Sequence, residues 1–232
     1  MTSVTTFNRH NRMPLAVRSS CLALALAAAC GGSSASHPST SPSPVPDARP
    51  LASLAATGAI VTPTYAVRVA PGLDWSARLG SSREILRAMD DDIASTLTAR
   101  GLKAGWLFAT ELAVSYKRNP TYAPDPYALA EEPLRAPAFI AGSRLTEPLA
   151  SQLRTMIALH ENARVVLVPI ELRFDRSDSS SAARGALRLA LIDPRFSEAR
   201  FVGEVKSDTT SADPRVLTAS LARAVANLIV GR

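Results

Sequence analysis

Three consecutive aspartates, Asp90-Asp91-Asp92, are the first residues of this chain that suggest chemistry, because carboxylates bind divalent cations. They fall in a run whose apolar residues recur at helical spacing: Ile85, Met89, Ile93 and Leu97. Successive residues of a helix point about 100° apart, so the three carboxylates cannot converge on one ion. We therefore predict a solvated helix face here and no metal site.

A histidine and a serine also suggest catalysis, but the sequence identifies no partner residue for either. His160 is the only histidine after residue 50, whereas zinc sites combine several histidine, cysteine or carboxylate ligands. It lies near a predicted helix end, which favours a structural role. Ser143 follows Ala141-Gly142 but is not in a Gly-x-Ser-x-Gly elbow and has no identifiable base. The sequence predicts that the chain is not an enzyme and needs no cofactor.

A loop rich in tyrosine and proline is the least ordinary segment, running from Tyr116 to Tyr127. Its prolines prevent either regular structure and stiffen the chain. Stiff loops that carry tyrosine and arginine lose little entropy on binding and are common at interaction surfaces. We predict partner binding at Arg118, Asn119, Tyr122 and Tyr127. The alternative is a long connection whose tyrosines pack on the domain edge.

The amino-terminal region carries a short apolar run that ends at Cys30 and is followed by Gly31-Gly32. The run is shorter than the roughly 20 apolar residues that span a bilayer. Positive residues precede it, as in a secretory signal: Arg9, Arg12 and Arg18. The region resembles a bacterial lipoprotein signal, although Ala27 stands where that family prefers leucine. Residues 27–29 also fit ordinary signal cleavage, which would leave a soluble periplasmic protein.

The lipoprotein resemblance implies cleavage after residue 29, a lipid on Cys30 and attachment to a membrane. Because Gly31 is not aspartate, it also implies the outer membrane, on its periplasmic side. We predict a signal peptide at residues 1–29 and a lipidated cysteine with a disordered serine- and proline-rich tether at residues 30–50. One globular domain follows at residues 51–232, a length that suits a sizeable core.

Charge and cysteine content limit the classes of partner and the disulfides that the mature chain can have. The formal charge is +6, and loss of the three signal arginines leaves +3. The basic residues are scattered singly, whereas nucleic-acid binders concentrate them in a patch, so we predict no nucleic-acid partner. Loss of Cys21 with the signal leaves Cys30 as the only thiol of the mature chain. No disulfide within the mature chain is then possible.

Hydrophobic periodicity predicts an α/β domain of the α+β kind, a two-layer sandwich with helices on one face of a mixed sheet. The predicted order is β-α-β-(α)-α-β-β-β-α. Helices are predicted after Ser81, near Glu111, after Thr146 and after Asp213. Pro169 predicts an edge or a bulge in its strand. The predicted strands are residues 65–70, 106–108, 164–174, 186–192 and 200–206.

The last 70 residues are similar to the amino-terminal domain of the TolB periplasmic protein and to curli-secretion-type lipoproteins. The features that match are an apolar strand at Val165–Ile170, a strand ending in Ile192-Asp193, a return strand from Phe201 and a final helix around Leu221–Ile229. The resemblance implies an anticodon-binding-domain-like fold. Fold does not carry function with it, and neither a propeller nor a pore-building strand pair is present in the sequence.

These observations predict a non-catalytic, lipid-anchored envelope protein that binds a protein or envelope partner in outer-membrane assembly, transport or maintenance. One alternative is a periplasmic hydrolase, which would need a cleft with two or more convergent titratable groups near His160 or the acidic residues. A second alternative is a structural protein that oligomerises through an exposed strand edge.

Overall fold

A mixed five-stranded sheet forms the centre of the fold in a computed structural model that describes residues 49–73, 75, 81–160, 163–177 and 182–231. The strands are β1 (Ile60–Val61), β2 (Ala66–Val69), β3 (Val166–Arg176), β4 (Ala183–Asp193) and β5 (Glu198–Ser211). Strand β3 is central: β1 and β2 pair parallel with it, and β4 pairs antiparallel with it. Strand β5 pairs antiparallel with β4. The predicted α/β class with a mixed sheet is confirmed.

Five α-helices and one 3₁₀ helix, Glu132–Arg135, accompany the sheet in the described part of the chain. They are α1 (Leu54–Thr57), α2 (Ser82–Ala99), α3 (Ala109–Arg118), α4 (Leu149–Ala158) and α5 (Pro214–Val230). The predicted capping box of α2 is present, because the Ser81 hydroxyl accepts the Glu84 N–H and the Glu84 carboxylate accepts the Ser81 N–H. None of the described helices is long and apolar enough to cross a membrane.

Apolar side chains from the sheet enter two separate cores. Neighbouring β3 residues enter different cores, since successive side chains of a strand point to opposite faces. Leu167 lies in a core with α2 and α5, whereas Val166 lies in a second core with α4 and the 3₁₀ helix. Each helix has an apolar stripe, but the periodicity of the sequence does not indicate which face of the sheet that stripe packs against.

The predicted strand at residues 106–108 is wrong. Leu107 forms only one isolated bridge, to Ile60, and the residues around it are not in a strand. Trp106 is nevertheless buried in the core, as its apolar character predicts. The parallel partner of β3 at this end is instead β1, a strand of only two residues that is too short to show a period-two pattern.

Pro169 sits in a central strand at a bulge, as its position in an otherwise apolar strand predicts. The register between β3 and β4 shifts after Pro169. On the other side of β3, the Val165 and Leu167 carbonyls accept hydrogen bonds from Ile60 and Thr62. The missing N–H of Pro169 therefore points towards the break between β1 and β2, where no strand requires it.

The fifth strand lies at one edge of the sheet and pairs only with β4. Its first residues are covered by a neighbouring segment, since the Gly142 N–H donates to Ala199 and the Ala199 N–H donates to Ser143. Beyond residue 199, the outer side of β5 has no strand neighbour among the described residues.

Candidate functional site

A cleft of about 620 Å³ opens where the break between β1 and β2 meets α2, α3 and the loop after α3. We call it the Asp90 cleft. Three of the chain's four tyrosines line it, together with charged residues from both helices. Its lining residues are Thr64, Tyr65, Arg83, Leu86, Arg87, Asp90, Ala113, Tyr116, Lys117, Asp125 and Tyr127.

Asp90 is held at the back of the cleft by Thr64. Because the sheet is interrupted between β1 and β2, the Thr64 N–H donates to Asp90 Oδ1 at 2.7 Å rather than to a strand. The Thr64 hydroxyl donates to the same oxygen at 2.8 Å. The other oxygen, Oδ2, is buried and has no hydrogen-bond partner. A buried polar atom without a partner is unfavourable, and more so when it carries charge.

Burial therefore raises the pKa of Asp90 from its usual value near 3.8 to about 7. The two Thr64 hydrogen bonds lower the pKa and the neighbouring Asp91 carboxylate raises it, but burial is the largest cause. Near neutral pH this carboxyl group exists in both protonation states. The prediction that residues 90–92 form a solvated helix face is thus wrong for Asp90.

Positive charge enters the cleft from two helices. Arg83 and Arg87 lie one turn apart on α2, and Lys117 lies near the end of α3. None of these three side chains forms an ion pair with a described residue, whereas Arg68, Arg135 and several other arginines do. Among the described residues, these three cations therefore have no ion-pair partner.

The far wall of the cleft is anchored by the loop. The Tyr65 hydroxyl donates to the Pro126 carbonyl at 2.9 Å, and burial raises the pKa of Tyr65. Asp125 Oδ1 accepts the Tyr127 N–H at 2.9 Å, which orients the turn from which the Tyr127 side chain projects. Burial, with the Asp90 charge, also raises the pKa of Tyr127. The Tyr127 hydroxyl therefore remains protonated and able to donate a hydrogen bond at neutral pH.

The predicted binding residues do not form one group. Tyr127 lines the Asp90 cleft and is 51 % exposed, while Tyr122 is 73 % exposed and lines no described cavity. Arg118 and Asn119 line a separate groove of about 420 Å³ together with His160. Burial lowers the pKa of His160. Cys30, the signal peptide and the tether up to residue 48 lie outside the described residues.

Sequence reasoning missed Asp90, Thr64, Arg83 and Arg87 as members of one cleft. A signal was available for three of them, since positions 83, 87 and 90 lie on one face of a helix. That face borders the apolar stripe of α2, where partly buried side chains occur. No comparable signal marks Thr64, because its role depends on the break in the sheet. No group of three or more potential metal ligands occurs among the described residues.

Comparisons with known proteins do not assign the chain to a family. It matches no protein-family model and no curated protein. Similar solved structures include the PelC dodecamer from Paraburkholderia phytofirmans, at 12 % identity and a TM-score of 0.33, covering 74 % of this chain and 86 % of that one. Lipoprotein GNA1162 from Neisseria meningitidis is 15 % identical with a TM-score of 0.35, covering 74 % and 99 %. At these scores neither similarity carries an argument, and the TolB resemblance stays a prediction.

Proposed function

We propose that this chain is a lipid-anchored envelope protein on the periplasmic side of the outer membrane that binds a partner without catalysing a reaction. The binding surface is the Asp90 cleft with the adjoining tyrosine loop, residues 119–127. The observation that carries this proposal is a cleft lined by the exposed Tyr127 and by three cations that form no ion pair with a described residue. The Cys30 signal and the TolB resemblance support the envelope location and a role in outer-membrane assembly, transport or maintenance.

The state of Asp90 favours binding over acid–base catalysis. A general acid must place its proton within hydrogen-bond reach of the substrate. Oδ1 of Asp90 is occupied by two hydrogen bonds from Thr64, and Oδ2 is buried out of contact with solvent. Neither oxygen meets a ligand in the cleft unless the site rearranges.

The anchor is tested by metabolic labelling with a radioactive fatty acid. We expect the natural chain to take up label and Cys30→Ser to take up none, because thioether lipidation needs that sulfur. Both chains are compared at equal amounts by immunoblot. Equal label in the two chains would overturn the lipid anchor and leave a soluble periplasmic protein.

The binding surface is tested by capture from detergent-solubilised envelopes. We expect Tyr122→Ala to lower recovery of the bound partner about tenfold, the typical size of a tyrosine hot-spot effect. Phe196→Ala is the matched control, since Phe196 is also an exposed aromatic, at 57 %, but lies in the turn between β4 and β5. Failure to recover any specific partner, or equal losses in the two variants, would contradict the proposal.

A second candidate is a hydrolase, which would require the cleft to rearrange so that an Asp90 oxygen reaches the substrate. The Asp90 cleft holds two carboxyl groups, Asp90 and Asp125, together with three cations, which meets the requirement for convergent titratable groups. A carboxyl with a pKa near 7 is suited to donate a proton at neutral pH. For a hydrolase, Asp90→Asn would retain substrate binding and lose turnover, whereas for a binding protein there is no turnover to lose.

A third candidate is an oligomer joined through β5, which the open outer side of that strand favours. Gel filtration of the Cys30→Ser chain separates it from the first candidate, because an edge-paired oligomer elutes at a multiple of the monomer mass without any other protein.

A further inference from the structure

The acidic groups of the Asp90 cleft form no ion pair with its cations in the described structure. Asp125 Oδ1 is engaged by the Tyr127 N–H, and Asp90 Oδ1 is engaged by Thr64. Asp90 Oδ2 is buried, and no cation approaches it within ion-pair distance in the described structure. Arg83 and Arg87 are spaced four residues apart on one helix, a spacing at which like charges repel. An external anion would relieve this repulsion.

The side chains of these cations also fit a planar anion. A guanidinium offers paired N–H donors that match the two oxygens of a carboxylate or phosphate, and a lysine ammonium adds a compact charge. Arg83, Arg87 and Lys117 reach the cleft from two different helices, so an anion in the cleft meets donors from more than one direction. This arrangement differs from a row of cations along a single exposed helix face.

The remaining walls fit a ring that carries hydroxyl groups. Leu86 and Ala113 give an apolar surface, and Tyr116 and Tyr127 each combine an aromatic face with a hydroxyl. A cleft of about 620 Å³ lies within the usual size range of small-molecule sites. It is wide enough for one or two sugar rings and too small for a folded protein segment.

From these features we infer that the Asp90 cleft binds an anionic sugar, meaning a carboxylate-bearing saccharide unit. The acidic group lies against Arg83, Arg87 and Lys117, and the ring lies between the tyrosines. This inference rests on the proposed binding function of the same cleft and names the class of ligand for it. Because the contacts are charge-assisted and partly exposed, binding weakens as salt concentration rises.

Isothermal titration of the mature, detergent-solubilised chain tests the inference with digalacturonate, its neutral counterpart galactobiose, and inorganic phosphate. We expect digalacturonate to bind and galactobiose not to bind. Arg87→Gln should raise the Kd for digalacturonate about tenfold to a hundredfold, the loss expected for hydrogen bonds to a charged group. Lys117→Gln gives a second, independent loss. Lys103→Gln is the control, since Lys103 is also an exposed basic residue but does not line the Asp90 cleft.

Each other result overturns the inference. If galactobiose binds as tightly as digalacturonate, the cleft does not recognise the charge. If inorganic phosphate binds as tightly as digalacturonate, the cleft does not recognise the sugar ring. No binding of digalacturonate, or an equal loss in Lys103→Gln, shows that the cleft is not the binding site. The unfolding midpoint of each variant confirms that it folds.

The test also separates this inference from the proposed function. Partner capture depends on Tyr122, which does not line the cleft. If digalacturonate fails to bind while Tyr122-dependent capture persists, the ligand class is wrong and the binding function stands. If digalacturonate binds and no partner is captured, the protein-partner role is wrong and the sugar site stands.

Discussion

Gly58→Ala is expected to destabilise the fold by about 4 kcal/mol or more, a size reserved for changes that the structure cannot absorb. Gly58 follows α1 with a φ of +69°, in the left-handed region. A Cβ added there would lie within 2.6 Å of the Gly105 carbonyl carbon and closer still to its oxygen. The obstacle is backbone, which cannot rotate away as a side chain would.

The close approach of these two backbones positions the start of the sheet. Just after Gly58, the Leu107 N–H donates to the Ala59 carbonyl and the Val61 N–H donates to the Leu107 carbonyl. Pushing Gly58 and Gly105 apart therefore separates β1 from the segment that supports it. The loss extends beyond one contact, which is why the expected effect is large.

Gly101→Ala is the matched control for Gly58→Ala. Gly101 also has a left-handed φ, +84°, but a Cβ added there meets nothing within 4 Å. Only the conformational penalty remains, about 1–2 kcal/mol. Urea denaturation followed by circular dichroism measures both variants. Equal shifts of the two midpoints would show that the approach of Gly105 is not the cause.

Asp90→Asn is expected to make the chain more stable than the natural one at pH 8, by about 2–4 kcal/mol. The pKa of Asp90 is about 7 in the folded state against about 3.8 when unfolded, so the folded state holds the extra proton between these values. This group's contribution to stability is complete below pH 4, falls as pH rises towards 7, and stays lost above it. Asparagine is neutral throughout and keeps an oxygen for the Thr64 hydrogen bonds.

The measurement is the difference in free energy of unfolding between the two chains at several pH values, since the other titrating groups cancel in that difference. We expect the difference to be small at pH 4 and largest at pH 8. Asp92→Asn removes a carboxylate of the same helix outside the cleft and is the control. A difference that does not change with pH would contradict the burial of an unpartnered Asp90 carboxyl.

The sequence predicts those structural features that depend only on residues close together in the chain. The Ser81–Glu84 capping box and the Asp213 cap are each read from a few residues and are confirmed. The chemistry of proline predicts an edge or a bulge at Pro169, and the register between β3 and β4 shifts there. By contrast, β1 has two residues and exists because β3 is there to pair with it. Burial of the second sheet face likewise depends on contacts far apart in the chain.

The same division holds for the site. The tyrosine loop is visible in the sequence because its composition is unusual, and Tyr127 does face the cleft. The geometric argument against three converging aspartates concerns residues 90–92 relative to one another. That argument does not indicate which of the three aspartates faces the interior. Asp90 does, because Thr64 donates a hydrogen bond to it where the sheet is interrupted. Sequence spacing alone does not reveal that break.

The parallel pairing of β1 and β2 with β3 has a consequence for the order of folding. The strands β3, β4 and β5 follow one another directly in the chain, with six and then four residues between them. Ile60 and Val166, in contrast, pair across about a hundred residues of chain. Closing so long a loop is entropically unfavourable before its contacts form, and non-local pairing slows folding. We therefore expect the three-strand meander to form before β1 and β2 pair with it, so that the wall that carries Thr64 is completed late in folding.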